Sequence, residues 1–283
     1  MTTKGKVYEI IQDTILKKLE EGVIPWRKTW SGCGGDPKNI ITNKAYRSTN
    51  NMLLQCQGYK SPYWMTFNQV KKLKGTLLKG SKSSIVTYYK ILEKENDAGV
   101  VEERFPMLRY YRVFNLEQTE GIIPKWDEEI TEFTENDPIV NCEKVVNEMR
   151  EFPKMEWGIN PCYSPSKDRI GMPELKQFNS SEEYYATYFH EMAHSTKHMQ
   201  RMNRQQHSYA KEELIAEMSS CFICGKVGIE SATIDNTAAY IQSWIKHIKE
   251  NDVKMVVQAA AEAQKVADWI MNISDFTEMK KTA

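Results

Sequence analysis

The densest chemistry in this chain sits in five consecutive residues, His190-Glu191-Met192-Ala193-His194, which hold two of its five histidines. On a helix of about 3.6 residues per turn, positions i and i+4 share a face. Two imidazoles there can grip one divalent ion, and Glu191 is left beside it as a base for a bound water. That is the chemistry of metal-assisted hydrolysis. A third ligand is still required. One known extension needs a glycine three residues and a histidine six residues beyond the second His. Lys197 and Gln200 occupy those positions, which excludes it.

A glutamate on a following helix is the other solution, and Glu212, Glu213 and Glu217 are available. Glu213 and Glu217 share a helix face, so one can ligate while the other hydrogen-bonds a ligand histidine. The spacing favours Glu213 as ligand and Glu217 as the orienting group, with Glu217 as ligand the open alternative. Zn2+ held by His190, His194 and Glu213 would keep its fourth position for water. The same donors accept Mn2+ or Co2+. The ion lowers the pKa of water from about 15.7 toward 7. Glu191 then takes the proton and passes it to a leaving amine. Tyr163 and Arg169 are candidates for stabilising the oxyanion.

This chemistry requires the histidines to lie on a helix. Ser180 to Glu183 has the S-x-x-E pattern of a capping box immediately before a periodic segment. A helix is predicted over Ser181 to Met199, then others over Tyr209 to Lys226, Thr233 to Lys249 and Val253 to Met271. Ile139 to Phe152 also reads as helical, and Arg169 to Met172 as a strand. The second half is thus mainly helical with a small sheet. Cys221-x-x-Cys224 has the spacing of redox or zinc pairs. It lies mid-helix beside Phe222 and Ile223 without a second pair, so buried small hydrophobes are the better reading. His198 extends the i+4 series beyond His194 but falls at the expected helix end and reads as a surface residue, and His207 and His247 have no visible partners.

The first half is different. Val7 to Gly22 is an amphipathic helix with Gly22 as its cap. Asn50 to Gln57 and Thr66 to Leu73 read as short helices. Lys82 to Lys90 and Leu108 to Phe114 read as strands, with Glu93 to Arg104 a polar loop or hairpin between them.

The formal net charge of zero hides a split: residues 1–115 hold 20 Lys/Arg against 10 Asp/Glu, and residues 116–283 hold 18 against 28. From Arg27 to Lys90 there are 12 basic residues and one acid, Asp36. Aromatic residues interleave with these charges, among them Trp26, Trp30, Tyr46, Trp64, Tyr88 and Tyr89. Cationic grooves with aromatic platforms hold single-stranded nucleic acid, largely without sequence preference. Trp26, Arg27, Lys28, Trp30, Lys44, Tyr46, Arg47, Trp64, Lys79 and Lys82 are therefore candidate DNA-binding residues.

No run of about 18 apolar residues exists, so a membrane span is not expected. The N-terminus lacks the apolar core of a signal peptide, and the six scattered cysteines are expected to stay reduced in a cytoplasmic protein. The acidic stretch near 125–138 is the expected boundary between domains spanning 1–125 and 138–283.

Longer motifs carry a resemblance. Gly22-Val23-Ile24-Pro25-Trp26-Arg27-Lys28-Thr29-Trp30, Trp64-Met65-Thr66-Phe67-Asn68-Gln69 and Val113-Phe114-Asn115-Leu116-Glu117-Gln118 resemble the N-terminal domain of ArdC-type antirestriction proteins. Tyr163-Ser164-Pro165-Ser166-Lys167-Asp168-Arg169-Ile170-Gly171-Met172-Pro173 and Glu212-Glu213-Leu214-Ile215-Ala216-Glu217 continue it. The resemblance implies an α+β chain: an α/β single-stranded-DNA-binding domain followed by a zincin-like metallopeptidase domain. It further implies a mobile-element protein that protects incoming DNA from restriction, with host restriction or DNA-bound proteins as possible substrates. Where many relatives have Trp-Thr-Gly-His after the second metal histidine, this chain has Ser195-Thr196-Lys197-His198.

Overall fold

A computed structural model describes residues 3–26, 36–95, 101–125, 138–158, 160–229, 242, 244–246, 248–249 and 254–273, with the side chains of 3, 4 and 91–106 outside the description. Helix α1 (Thr3–Glu20) buries Val7, Ile11, Ile15 and Leu19, the i, i+4, i+8, i+12 stripe that its sequence predicts. It ends on Gly22 at φ +79°, where the Val23 amide reaches back to the Lys18 carbonyl. Only a residue without a Cβ takes that left-handed turn freely.

The first half is built on a four-stranded sheet in the order β1-β2-β5-β4. Its strands are β1 (Lys38–Asn39), β2 (Tyr63–Thr66), β4 (Ser84–Glu95) and β5 (Val101–Asn115). Helices α2 (Ser48–Gln55) and α3 (Phe67–Lys72) flank it, and β3 (Thr76–Leu77) pairs with β6 (Thr119–Glu120). Thr66 and Gln69 form a reciprocal capping box at the start of α3.

Of the loop or hairpin expected over Glu93 to Arg104, the structure forms the hairpin, with both strands running further than Lys82 to Lys90 and Leu108 to Phe114. Pairing continues from Ser84↔Val113 to Glu95↔Val101, with one irregularity between Lys94 and Glu95. Backbone pairing needs no burial of either face, so a polar segment can carry the full length of both strands.

The second half contains α4 (Pro138–Glu148), then a three-stranded sheet in the order β7-β9-β8. Its strands are β7 (Lys154–Trp157), β8 (Cys162–Ser164) and β9 (Arg169–Met172). Helices α5 (Ser181–Ser195), α6 (Tyr209–Val227) and α7 (Lys254–Ile270) complete it. Strand β9 and these helices agree with the sequence reading. The expected helix over Thr233 to Lys249 lies largely outside the described residues, as does the expected boundary over 126–137.

One apolar cluster joins the two halves. Val7, Ile11, Ile15, Trp26, Met52 and Leu53 share it with Phe189, Ile215, Ala260 and Ile270. Among the described residues, no helix is long and apolar enough to cross a membrane.

Candidate metal centre

Helix α5 carries both histidines of the HExxH run, and its start is fixed by Ser180, whose Oγ accepts from the Glu183 amide at 3.1 Å. The reciprocal half of the capping box differs from expectation. The Glu183 carboxylate accepts from the amide of Asn179, one residue earlier. At the other end, Arg201 Nε donates to the Ser195 carbonyl at 2.7 Å and Arg204 Nη2 to the Ala193 carbonyl at 3.2 Å. Two cations thus satisfy last-turn carbonyls, where the helix dipole favours positive charge.

Helix α6 packs antiparallel to α5 after the turn and brings Glu212 and Glu213 beside the histidines. His190 Nε2 and His194 Nε2 lie 3.1 Å apart, and each lies 3.5 Å from an oxygen of Glu213. Ligands bound tetrahedrally at about 2.0–2.1 Å stand about 3.3 Å from one another. The triangle therefore has the dimensions of a metal site, and these three residues form the one such cluster among the described residues. Their donor set, two imidazoles and a carboxylate, suits zinc or another divalent transition ion. Glu191 follows His190 on the same helix and is buried.

The other ring nitrogen of His194 meets Glu212, with Nδ1 3.2 Å from Oε1. Glu212 is itself held by Arg204 at 2.8 and 3.2 Å and by Lys197 at 3.4 Å. A proton on Nδ1 donated to Glu212 leaves the Nε2 lone pair facing Glu213 and His190, the tautomer that a metal requires. The sequence reading expected an orienting glutamate at Glu217; on His194 that position is taken by Glu212. Among the described residues, the carboxylate on a site histidine's Nδ1 is Glu212, while Glu217 is buried one turn further along α6. The i,i+4 argument missed Glu212 because His194 offers its two nitrogens in different directions, so adjacent glutamates both reach it.

Without an ion, the cluster holds unusual charge states. Burial opposes a charge on His194, yet its hydrogen bonds to Glu212 and Glu213 prevail and raise its pKa to about 9. Burial alone would raise Glu212, but His194 and Arg204 pull it down to about 2. Glu213 is held far below the ordinary carboxylate range by His190 and His194.

The other expected residues fall as follows. Tyr163 donates to Asp168 at 2.8 Å, within a partly buried cluster completed by Arg201, and Arg169 is paired with Glu156. Cys221 and Cys224 are buried, and burial raises the Cys224 thiol well above its usual range. Trp26 and Trp64 are each only 1% exposed, which corrects the expectation that they offer stacking faces. Trp26 packs edge-on against Trp244, and Trp64 against Tyr59. Large aromatic rings beside a small sheet are its main source of core. Tyr46 is partly buried against the Leu54–Trp64 cluster. Arg47 is paired with Asp268 on α7. Lys44, Lys79 and Lys82 are exposed, and Arg27, Lys28 and Trp30 lie outside the described residues.

Comparison with known proteins agrees with this architecture. Residues 5–114 match the N-terminal domain of anti-restriction factor ArdC, and residues 143–262 match a zincin-like metallopeptidase family. A DNA primase TraC of Escherichia coli is 32% identical across 96% of this chain, which spans only 20% of the primase. An uncharacterised protein, y4eC, of Sinorhizobium fredii is 28% identical and is covered over 92% of its length. The crystal structure of the antirestriction protein ArdC from plasmid R388 superposes with a TM-score of 0.74 at 32% identity, covering 94% of this chain and 97% of that one. Its Mn(II)-bound form gives 0.72 at the same identity, covering 95% of this chain and 98% of that one. An HExxH helix facing a glutamate-bearing helix, behind a basic sheet domain of matching fold, places this chain in the ArdC family of antirestriction proteins.

Proposed function

We propose that this protein binds single-stranded DNA through its first half and cleaves peptide bonds at a divalent-metal centre in its second. The observation that carries the peptidase reading is the 3.1–3.5 Å triangle of His190, His194 and Glu213. His190, His194 and Glu213 would hold the ion, zinc or manganese, and the Mn(II)-bound relative supports a divalent metal. The ion supplies Lewis acidity and lowers the pKa of water from about 15.7 toward 7. Glu191 accepts the proton of the attacking water and returns it to the departing amine. Glu212 keeps the His194 ring turned so that Nε2 faces the centre, and Arg204 holds Glu212 in place. The DNA reading rests on the 12-to-one excess of basic residues over Arg27 to Lys90. Host restriction proteins or other DNA-bound proteins are the substrates that this pairing suggests, in the cytoplasm of a cell receiving a mobile element. The chain divides functionally near 125–138.

Glu191→Gln tests the catalytic step. It keeps the buried side chain's size and removes the base. The variant should bind metal with unchanged stoichiometry and lose cleavage of restriction subunits by at least about 100-fold, the scale of one general base. Cleavage at the wild-type rate would remove Glu191 from the mechanism. Full protection of incoming DNA by a variant that no longer cleaves would make the protein a DNA-binding protector with a structural metal site.

A further inference from the structure

Once Trp26 and Trp64 are buried, the aromatic surface for a single strand must lie elsewhere, and the β4–β5 ladder offers one. Directly paired residues of an antiparallel ladder point to the same side. Val86↔Tyr111, Tyr88↔Arg109 and Lys90↔Met107 therefore share a face. Its base, Val86 and Val113, is buried against Leu54 and Trp64. Beyond that base the face is open: Tyr88 is 45% and Tyr111 47% exposed, with ring centroids 6.3 Å apart. Ile85, Leu108 and Tyr110, on the reverse side, pack against the main core. Over residues 84–90 and 107–113 this face carries two cations, Lys90 and Arg109, and no carboxylate, while Arg112 lies opposite Ile85 on the reverse side. Lys82, two residues before β4, is exposed too.

We infer that the Tyr88–Arg109–Tyr111 face, continued by Lys90, is the platform on which bases of a single DNA strand stack while the cations meet its phosphates. The inference rests on the reading that the first half binds single-stranded DNA. Open rings beside cations, with no acid among them, complement a polyanion that has exposed π-faces. An extended peptide would instead need the outer edge of β4. There the Asn50 side chain already takes both backbone groups of Thr87, donating to its carbonyl at 2.8 Å and accepting from its amide at 2.7 Å.

The test is fluorescence anisotropy of a labelled oligothymidylate of about 16 nucleotides with the full chain. Tyr88→Ala and Tyr111→Ala should each weaken binding about 5- to 150-fold, the measured worth of one stacked base. Tyr88→Phe and Tyr111→Phe should bind as wild type, because stacking uses the ring and not the hydroxyl. Arg109→Ala should reduce the slope of log affinity against log salt by about 0.7. Thermal unfolding midpoints unchanged in these exposed variants separate loss of contact from loss of fold. Alanine variants that bind as tightly as a binding-competent wild type would overturn the platform and leave the DNA reading standing. A wild-type protein with no salt-dependent oligonucleotide binding would overturn both. Equal affinity for a duplex of the same length, or displacement by polyglutamate as effective as by unlabelled oligonucleotide, would overturn base stacking as the mode of binding.

Discussion

The raised pKa of His194 makes metal affinity depend on pH in a way that a simple surface histidine pair would not. In the metal-free protein His194 holds its proton up to about pH 9. An incoming ion must displace that proton. At pH 7 the competition amounts to about two pKa units, or about 100-fold in apparent affinity. Affinity should therefore rise about tenfold per pH unit below pH 9 and level off near 9. Stability has the opposite sign. A group whose pKa is raised on folding stabilises fully below its unfolded value of about 6.5 and loses that contribution as pH rises through 9. The metal-free protein should lose up to about 3 kcal/mol across that window. The depressed Glu212 and Glu213 are the other side of the same contacts, and their contribution disappears only in acid. Glu212→Gln removes the first of the two carboxylates that raise His194. Its affinity curve should level off at lower pH, and its plateau should fall about 10- to 100-fold through lost orientation of the ring. Competition titrations with a chelating dye from pH 6 to 9.5, paired with melting of the metal-free protein, measure both arms. A wild-type affinity that is flat between pH 7 and 9 would refute the charge assignment.

Two further outcomes follow from the packing. Arg204→Met leaves Glu212 buried without its bidentate cation. Metal affinity should fall about 10- to 100-fold, and isothermal titration should read the loss without a change in stoichiometry. A chain ending at residue 253 lacks α7, whose Val256, Val266 and Ile270 are fully buried. Each is worth about 1.5–3 kcal/mol, together comparable with a domain's stability of about 5–15 kcal/mol. It should show no cooperative thermal transition by circular dichroism, and a sharp transition near the full-length midpoint would contradict this account of the core.

What could be read from the sequence divides by the range of the physics. Helix α1, strand β9 and the HExxH helix are local patterns, and their apolar stripes or caps appear within a few residues. The pairing of His190, His194 and Glu213 was legible as well, because an antiparallel return after a short turn leaves few carboxylates within reach. Glu212 was not, since which of two adjacent glutamates meets Nδ1 depends on the rotation of α6. Arg204, in the polar linker between α5 and α6, looks like a surface residue until its partners are known. The tryptophans misled for a related reason: aromatic content beside positive charge describes equally a stacking surface and a small core under a solvated shell. Strand pairing separates the two, by turning Trp64 inward and Tyr88 and Tyr111 outward.

The last described helix resolves how such distant pieces become one structure. Residues 263–270 of α7 lie beyond the part of the chain that matches the zincin-like family, yet α7 supports both halves. Toward the metal centre, its Glu262 accepts from Arg204 at 3.4 Å and lies 2.9 Å from His207 Nε2. Toward the first half, Asp268 pairs with Arg47, and Gln264 accepts from the Ser48 amide at 3.0 Å. Between these polar contacts run Ala259, Ala260, Ala263 and Ala267, all fully buried. Small side chains let helices approach closely, and Ser219 of α6 reaches the Ala263 carbonyl at 3.3 Å. A polar path thus runs from Arg47 through Asp268 and Gln264 along α7, and from Glu262 through Arg204 and Glu212 to His194. Arg47 was a candidate for touching DNA, but its guanidinium is committed to α7. Its role in this structure is to join the basic half to the helix that supports the metal centre. That explains why it occurs among exposed lysines without being one of them.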